Sequence, residues 1–341
     1  MTTFGDHSSG RDNNFNLLRM IAASSVLISH SVPISLGPDV LEPLQRWLDG
    51  IKLGTVAVYV FFAISGFFIT KSFDRGNGVS RFLKARILRL VPGLSTALIV
   101  TVLVIGAAIP HAPSSQYWAA APRYVLQNLA LYQPLYGLPG VFETQPFPGI
   151  INGSLWTLFY EVACYMSVMA FGVIGLLRQR WLIAAGTLAF LLAAILRNEL
   201  GLPGRVVTFI ELGFPFALGA FAWVWRDRIP LSPWLGAALA LAAVLTHGTM
   251  LFPVSFSLAL SYWSLALGFF KLGPLAAYNR LGDYSYGMYI YAFPVQQAVA
   301  AAGVRDPVIN IAYALPLTLF CAVLSWHFVE RPSLHLVKHT A

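Results

Sequence analysis

The feature that most constrains this chain is a repeated one. Apolar blocks of about 20 residues, none with a polar opposite face, follow one another between short polar or basic connections. In a bilayer core every backbone N–H and C=O must bond within its own segment, so blocks of this length dictate helices that cross lipid. Of the 341 residues 57% are hydrophobic and 11% are charged, against about 25% charged in a soluble domain. The alternating pattern of an outer-membrane barrel is absent. The expected fold class is therefore all-α: a polytopic membrane helix bundle of about ten transmembrane helices. The spans are drawn near 16–36, 54–70, 91–110, 153–177, 181–197, 206–225, 232–250, 253–270, 284–302 and 309–328.

The basic residues orient the bundle. With the N-terminus in the cytoplasm, the far side holds six of the 22 Lys and Arg (Arg46, Lys52, Arg123, Arg197, Arg205 and Arg305), and the near side holds the other sixteen. The positive-inside rule then places both termini in the cytoplasm. One domain is expected over 16–332, between short cytoplasmic tails at 1–15 and 333–341. The first fifteen residues lack the basic and apolar regions of a cleavable signal and read as a polar tail on the membrane surface. The net charge of +8 carries no aromatic-interleaved basic patch, so no nucleic-acid partner is expected. Cys164 and Cys321 fall inside spans, as small hydrophobes do, and no ligand spacing suggests a metal. Residues 71–90 form a basic connection whose second half has the spacing of an amphipathic interfacial helix. Residues 111–152 form the longest external loop, rich in Pro, Tyr and Gly, and loops of that length often carry function.

A few polar residues interrupt the spans. His30 lies about two turns from the outer end of the first span, and Glu161 about two turns into the fourth, from the same side. Ionisable groups inside lipid mark a site, a pathway or a structural pair. At matched depth, a carboxylate beside an imidazole makes the arrangement of a general base. Arg86 and Arg89 stand one helical turn apart on one face, and Arg19 sits at the same end of the first span. Guanidinium groups of this kind bind phosphate, or else serve lipid headgroups and topology. Glu330 and Arg331 close the last span there, and Glu330 reads as the structural partner of an arginine. Ser65 and Gly66 break an aromatic-rich span, either for close helix packing or for a narrow ligand path. Tyr286 and Tyr289 lie in a tyrosine-rich stretch ahead of Gln296 and Gln297, and Asp283 precedes them; these fit either interfacial anchors or satisfied polar groups.

Six short segments, in order, resemble the acyltransferase-3 family of integral membrane acyltransferases. Arg19 and His30 resemble its R-x10-H, "FFAISGFFIT" its FF-x-ISGF segment, and Arg86 with Arg89 its R-x-x-R. "SLWTLFYE", ending at Glu161, resembles its W-S-L-x-x-E segment, "YSYGMYIYAFP" its SYG-x-Y segment, and "VERP" its E-R-P. Two positions depart from the family pattern. Asn16 stands where members often have Asp, and Ala292 where they often have His, which leaves His30 as the principal acid–base candidate.

The resemblance implies an enzyme of the bacterial cytoplasmic membrane that moves an acyl group, usually acetyl from acetyl-CoA, to a hydroxyl of an extracytoplasmic glycan such as exopolysaccharide or lipopolysaccharide. On that reading Arg19, Arg86 and Arg89 hold coenzyme A phosphates, Ser65 and Gly66 line the path of the pantetheine arm, and His30 is the general base oriented by Glu161. Trp156, Tyr160, Tyr286 and Tyr289 shape the substrate sites. The rise from Arg19 to His30, roughly 16 Å, is comparable to the reach of the arm. The competing class is a secondary transporter or glycan flippase with a His/Glu proton relay, although no internal repeat of the kind many transporters show is visible.

Overall fold

The computed structural model describes residues 2–10, 13–75, 78–106, 108–109 and 114–338. Among these residues there are thirteen α-helices and no β-strand. They are α1 (Phe4–His7), α2 (Phe15–Leu36), α3 (Leu53–Asp74), α4 (Val79–Val100), α5 (Ser114–Leu129), α6 (Trp156–Val173), α7 (Arg180–Leu196), α8 (Gly204–Val224), α9 (Pro233–Leu245), α10 (Phe252–Phe269), α11 (Ser285–Ala301), α12 (Pro307–Ser325) and α13 (Arg331–Lys338). Local chemistry sets several of the starts. Asp306 accepts from the Val308 and Ile309 N–H groups at 2.8 and 2.9 Å ahead of Pro307, and Ser232 caps α9 ahead of Pro233.

Seven segments are long and apolar enough to cross a bilayer: α2, α3, α4 with the π-helical turn Thr101–Gly106, α6 with the 3-10 turn before it, α8, α10, and α12 continued into α13. Two shorter apolar helices, α7 and α9, flank them, and α11 is buried along almost its whole length. The chain is thus an all-α polytopic bundle: among the described residues seven long apolar segments, with the shorter α7, α9 and α11, fall where the ten spans were drawn from the sequence. Segment 80–90, expected as a separate interfacial helix, is continuous with α4.

α3 is the central element. Its tightest neighbour is α8, where Gly66 and Gly219 bring the two backbones together. A Cβ on Gly66 would overlap the Phe216 carbonyl, and one on Gly219 the Ala63 carbonyl. With no hydrophobic drive between helices in lipid, approach of this kind gives the contact its van der Waals energy. One end of the bundle gathers both termini and most of the basic residues. There Lys71 donates to the Ser8 carbonyl, the Trp223 indole to Asp74 at 3.0 Å, and Arg180 pairs with Asp227. The described part of the first fifteen residues, 2–10 and 13–15, expected as a surface tail, is folded under this end. Phe4 is buried against Tyr262 and Phe269, and the Asn14 N–H donates to the Gly268 carbonyl. Likewise α13, expected as a tail beyond residue 332, packs on α4; residues 339–341 lie outside the described residues.

The far end departs most from expectation. Loop 111–152, of which residues 111–113 lie outside the described set, does not remain external. α5 packs on α4 through Tyr117, whose hydroxyl donates to the Val102 carbonyl at 2.6 Å. The chain after it turns back into the bundle. The Gln297 amide donates to the Phe147 and Ile150 carbonyls at 2.8 and 2.7 Å, and Asn152 donates to the Ile290 carbonyl at 2.8 Å. Ile290 precedes the far end of α11 by eleven residues, a depth of roughly 16 Å. Ile151 and Ser154 are buried there. Irregular backbone at such depth is tolerated because protein side chains satisfy it. Single cysteines test this arrangement. A thiol replacing Ser80 should react with an impermeant maleimide from the cytoplasmic side, and one replacing Gln116 from the opposite side. One replacing Ile151 should react from neither side until the protein is denatured; rapid labelling at 151 would mean an external loop.

Candidate active site

A cavity of about 460 Å³ runs between α2, α3, α4, α6 and α11, closed on one side by Trp326 and α13. At the basic end it is lined by Arg19 of α2, Arg86 and Arg89 of α4, and Asp283 just before α11. Arg89 is fully engaged. It donates to Asp283 at 2.7 Å and to Glu330 at 3.2 Å, and lies 5.5 Å from the centre of the Tyr286 ring. Asp283 also pairs with Arg19 at 3.5 Å and accepts from the Ser285 hydroxyl at 2.5 Å. Glu330, 1% exposed, accepts from Ser325 at 2.9 Å. It sits in a π-helical turn, Trp326–Glu330, between α12 and α13. Such turns often appear where a helix must re-aim a functional side chain. The structural pair expected at Glu330 and Arg331 is therefore re-drawn. Glu330 partners Arg89 across the cavity wall, while Arg331 is exposed and makes no ion pair among the described residues.

Arg86 is different. It has no carboxylate partner among the described residues. Its guanidinium lies 5.8 and 5.9 Å from the ring centres of Phe82 and Tyr165, and its Nε is buried without a hydrogen-bond partner. The Tyr165 hydroxyl donates to Glu161, and both residues line the cavity. Further from the basic end, the Tyr289 hydroxyl donates to the Ser154 carbonyl at 2.9 Å and accepts from Thr157 at 2.6 Å. Phe61 lies edge-on to Tyr289, with ring centres 5.9 Å apart. Ser65 lines the cavity, whereas Gly66 faces α8 and contributes packing rather than lining. Tyr286 also lines it, and its hydroxyl donates to the Leu90 carbonyl at 2.9 Å. Trp156 and Tyr160 pack on each other outside the cavity lining, with ring centres 5.9 Å apart.

His30 stands beyond the head of this cavity. Its ring meets Phe293 edge-on at 5.0 Å between centres, and its Nδ1 is buried without a partner. Its neighbour Ser29 donates to Glu42 at 2.6 Å, and the other Glu42 oxygen accepts from the Leu53 N–H at 3.2 Å. The expected contact between His30 and Glu161 is not made. The register explains why. Thr157 and Tyr289 touch; Glu161 is one turn from Thr157 toward the basic end, and Phe293, beside His30, is one turn from Tyr289 the other way. The two residues are thus separated by roughly 12 Å along the bundle. Depth counted from a surface loop failed because the turn that starts α6 is itself deep in the bundle. Two further carboxylates hold the site together: Asp283, which the sequence offered only as an anchor or a satisfied polar group, and Glu42, which meets the N-terminus of α3 and had no role in that reading. Glu42 was not legible, because Asp39 and Asp49 also precede the apolar block and nothing in the sequence selects among the three.

A bundle of apolar helices around a cavity that is basic at one end defines a multi-pass membrane protein with an intramembrane site. A family model described as an acyltransferase domain matches residues 12–329, so the chain belongs to the acyltransferase-3 family and is a membrane acyltransferase. It is similar to a protein named O-acetyl transferase from Shigella phage Sf6, 27% identical over 94% of this chain and 96% of the relative. It is also similar to Nodulation protein 10 of Rhizobium leguminosarum bv. viciae, 26% identical over 97% of this chain and 95% of the relative. No solved structure matches the chain significantly.

Asp283 provides the test of the ion network. Burial opposes its charge, but Arg89 and Arg19, with Ser285, outweigh burial and hold the carboxyl below its ordinary value. A depressed carboxylate stabilises the fold above its unfolded pKa, and that contribution is lost as pH falls through the folded value. Asp283→Asn should therefore cost of the order of 3 kcal/mol at neutral pH, because Arg19 loses its carboxylate partner and Arg89 keeps only Glu330. Thermal unfolding should show the gap to wild type closing below about pH 4. An unchanged melting temperature at pH 7 would show that the arginines find other partners.

Proposed function

We propose that this acyltransferase moves an acetyl group from acetyl-CoA, bound from the cytoplasmic side of a bacterial inner membrane, to a hydroxyl of a glycan on the opposite side. One observation carries the reading. A cavity begins at an arginine without a carboxylate partner among the described residues and ends one helical turn short of an imidazole whose Nδ1 is unpartnered. The residues fit the donor. Arg86, held over Tyr165 and supported by Glu161, presents its guanidinium to phosphate, and the bidentate fork suits that anion. Beyond it Phe61, Phe62, Ser65 and Tyr289 give a narrow, mostly apolar wall that suits a pantetheine arm. The relative named O-acetyl transferase supports acetyl as the group and oxygen as its destination.

His30 serves as the general base. It removes the proton of the acceptor hydroxyl as that oxygen attacks the thioester carbon, and returns the proton to the sulfur as the carbon–sulfur bond breaks. Base catalysis of this kind contributes a rate gain of about 10²–10⁴. Glu161 acts on the donor side. By taking the Tyr165 hydrogen bond it fixes the ring that supports Arg86, and it offsets the charge of the arginines. The Phe61–Tyr289 pair and Phe293 lie between the head of the cavity and the imidazole, so the thioester parts these rings to reach it. Trp156 and Tyr160 lie near the level of Thr157, outside the cavity lining, and take no part in this route.

Purified protein with radiolabelled acetyl-CoA and surface glycan tests the reading, and movement of glycan without label would favour a flippase. Arg86→Ala should raise the KM for acetyl-CoA by about 10- to 150-fold, the loss of one charge-assisted contact, with Lys restoring part of it. Arg89→Ala should chiefly lower the melting temperature. A wild-type KM in Arg86→Ala would reduce the cluster to a topological signal. His30→Gln should insert and bind coenzyme A but not transfer; transfer by this variant at any pH would remove His30 from the chemistry.

A further inference from the structure

A second cavity, of about 870 Å³, opens at the basic end beside the first. Its wall comes from the chain around the start of α2, the last turn of α3 and the turn 273–280 before α11. Arg19 and Phe68 line both cavities, with the guanidinium 5.6 Å from the ring centre, and so form the sill between them.

The electrostatics of the two cavities differ. In the first, Asp283 and Glu161 offset the arginines. The second is lined by Arg19, Lys71, Arg75 and Arg280, with no carboxylate among its described lining residues. Arg75 and Arg280 are exposed and make no ion pair among the described residues. Lys71 is held in place: it donates to the Ser8 carbonyl and lies 5.4 and 5.7 Å from the ring centres of Phe68 and Trp223. Like charges gathered in a concave wall repel one another and focus a positive potential, an arrangement that suits a multiply charged anion.

We propose that this second cavity binds the phosphorylated nucleotide end of the donor, the 3′-phosphoadenosine diphosphate, while the first takes the pantetheine arm across the Arg19–Phe68 sill. The inference rests on the acyl-CoA reading above and deepens it. Arg19 and Arg86 face the phosphates nearest the arm, and Lys71, Arg75 and Arg280 face the phosphate on the ribose. A juxtamembrane basic patch of this kind also attracts anionic lipid headgroups. A shared sill with the reaction cavity favours the nucleotide, because a headgroup has no need of the passage beyond it.

The test compares three donors in the full-length protein: acetyl-CoA, acetyl-dephospho-CoA, which lacks the ribose phosphate, and S-acetyl-pantetheine, which lacks the nucleotide. The variant is Arg75→Gln/Arg280→Gln, with Arg280→Gln alone as a milder form should the pair insert poorly. The pair should raise the KM for acetyl-CoA roughly tenfold, with an effect that shrinks at high salt. Its kcat, and its KM for S-acetyl-pantetheine, should stay at wild-type values. The wild-type preference for acetyl-CoA over acetyl-dephospho-CoA should be lost in the variant. An unchanged KM for acetyl-CoA, or an equal loss with S-acetyl-pantetheine, overturns the subsite while leaving acetyl-CoA as donor. The effect should be the same in nanodiscs of phosphatidylcholine with and without phosphatidylglycerol; an effect seen only with phosphatidylglycerol assigns the cavity to lipid and overturns the proposal. Failure of the wild-type protein to bind coenzyme A or use acetyl-CoA at all overturns the donor reading, and the subsite with it.

Discussion

The structure depends on one half-buried guanidinium. Arg89, on α4, is held between Asp283 before α11 and Glu330 after α12. A charge in the bundle is tolerable only when paired and hydrogen-bonded, and removal of either partner leaves an uncompensated ion. Three parts of the chain far apart in sequence therefore meet at one point. The π-helical turn that carries Glu330 inward also directs α13 back onto α4, where Leu334 and Val337 complete the cavity wall. With Arg89 engaged in this way, Arg86, one turn away, is left without a carboxylate partner among the described residues and lies beside the rings of Phe82 and Tyr165.

The second constraint is that of the bilayer itself. Backbone polar groups within the membrane must find partners inside the protein. Helices do this by themselves; the re-entrant stretch around residues 146–154 does not. Asn152 and Gln297 meet the requirement by bonding the carbonyls of Ile290, Phe147 and Ile150, and Gln296, beside Gln297, donates to the Leu27 carbonyl at 2.9 Å. These side chains make a non-helical entry possible, so that α6 can begin at the head of the cavity. Thr157 and Tyr289 close that head, and Glu161 sits one turn further toward the basic end. The same entry sets Phe293 against Gly153, with no room for a Cβ between them, and so positions the ring that covers His30. Aromatic rings thus separate the cavity from the imidazole.

The apolar blocks by themselves determined the all-helical class, the shared side of the two termini and the membrane setting, because hydrophobic length and backbone hydrogen bonding are local properties of a segment. The one-turn spacing of Arg86 and Arg89, and the position of Ser65 among aromatic residues, were legible for the same reason. The identity of the residue that each charge faces was not. Glu330 stands beside Arg331 in sequence but bonds Arg89, and Glu161 was matched to His30 in depth but lies roughly 12 Å from it along the bundle. Only the tertiary structure decided these, since a side chain's depth depends on where its helix begins, and here a loop that reads as external carries that beginning deep into the protein.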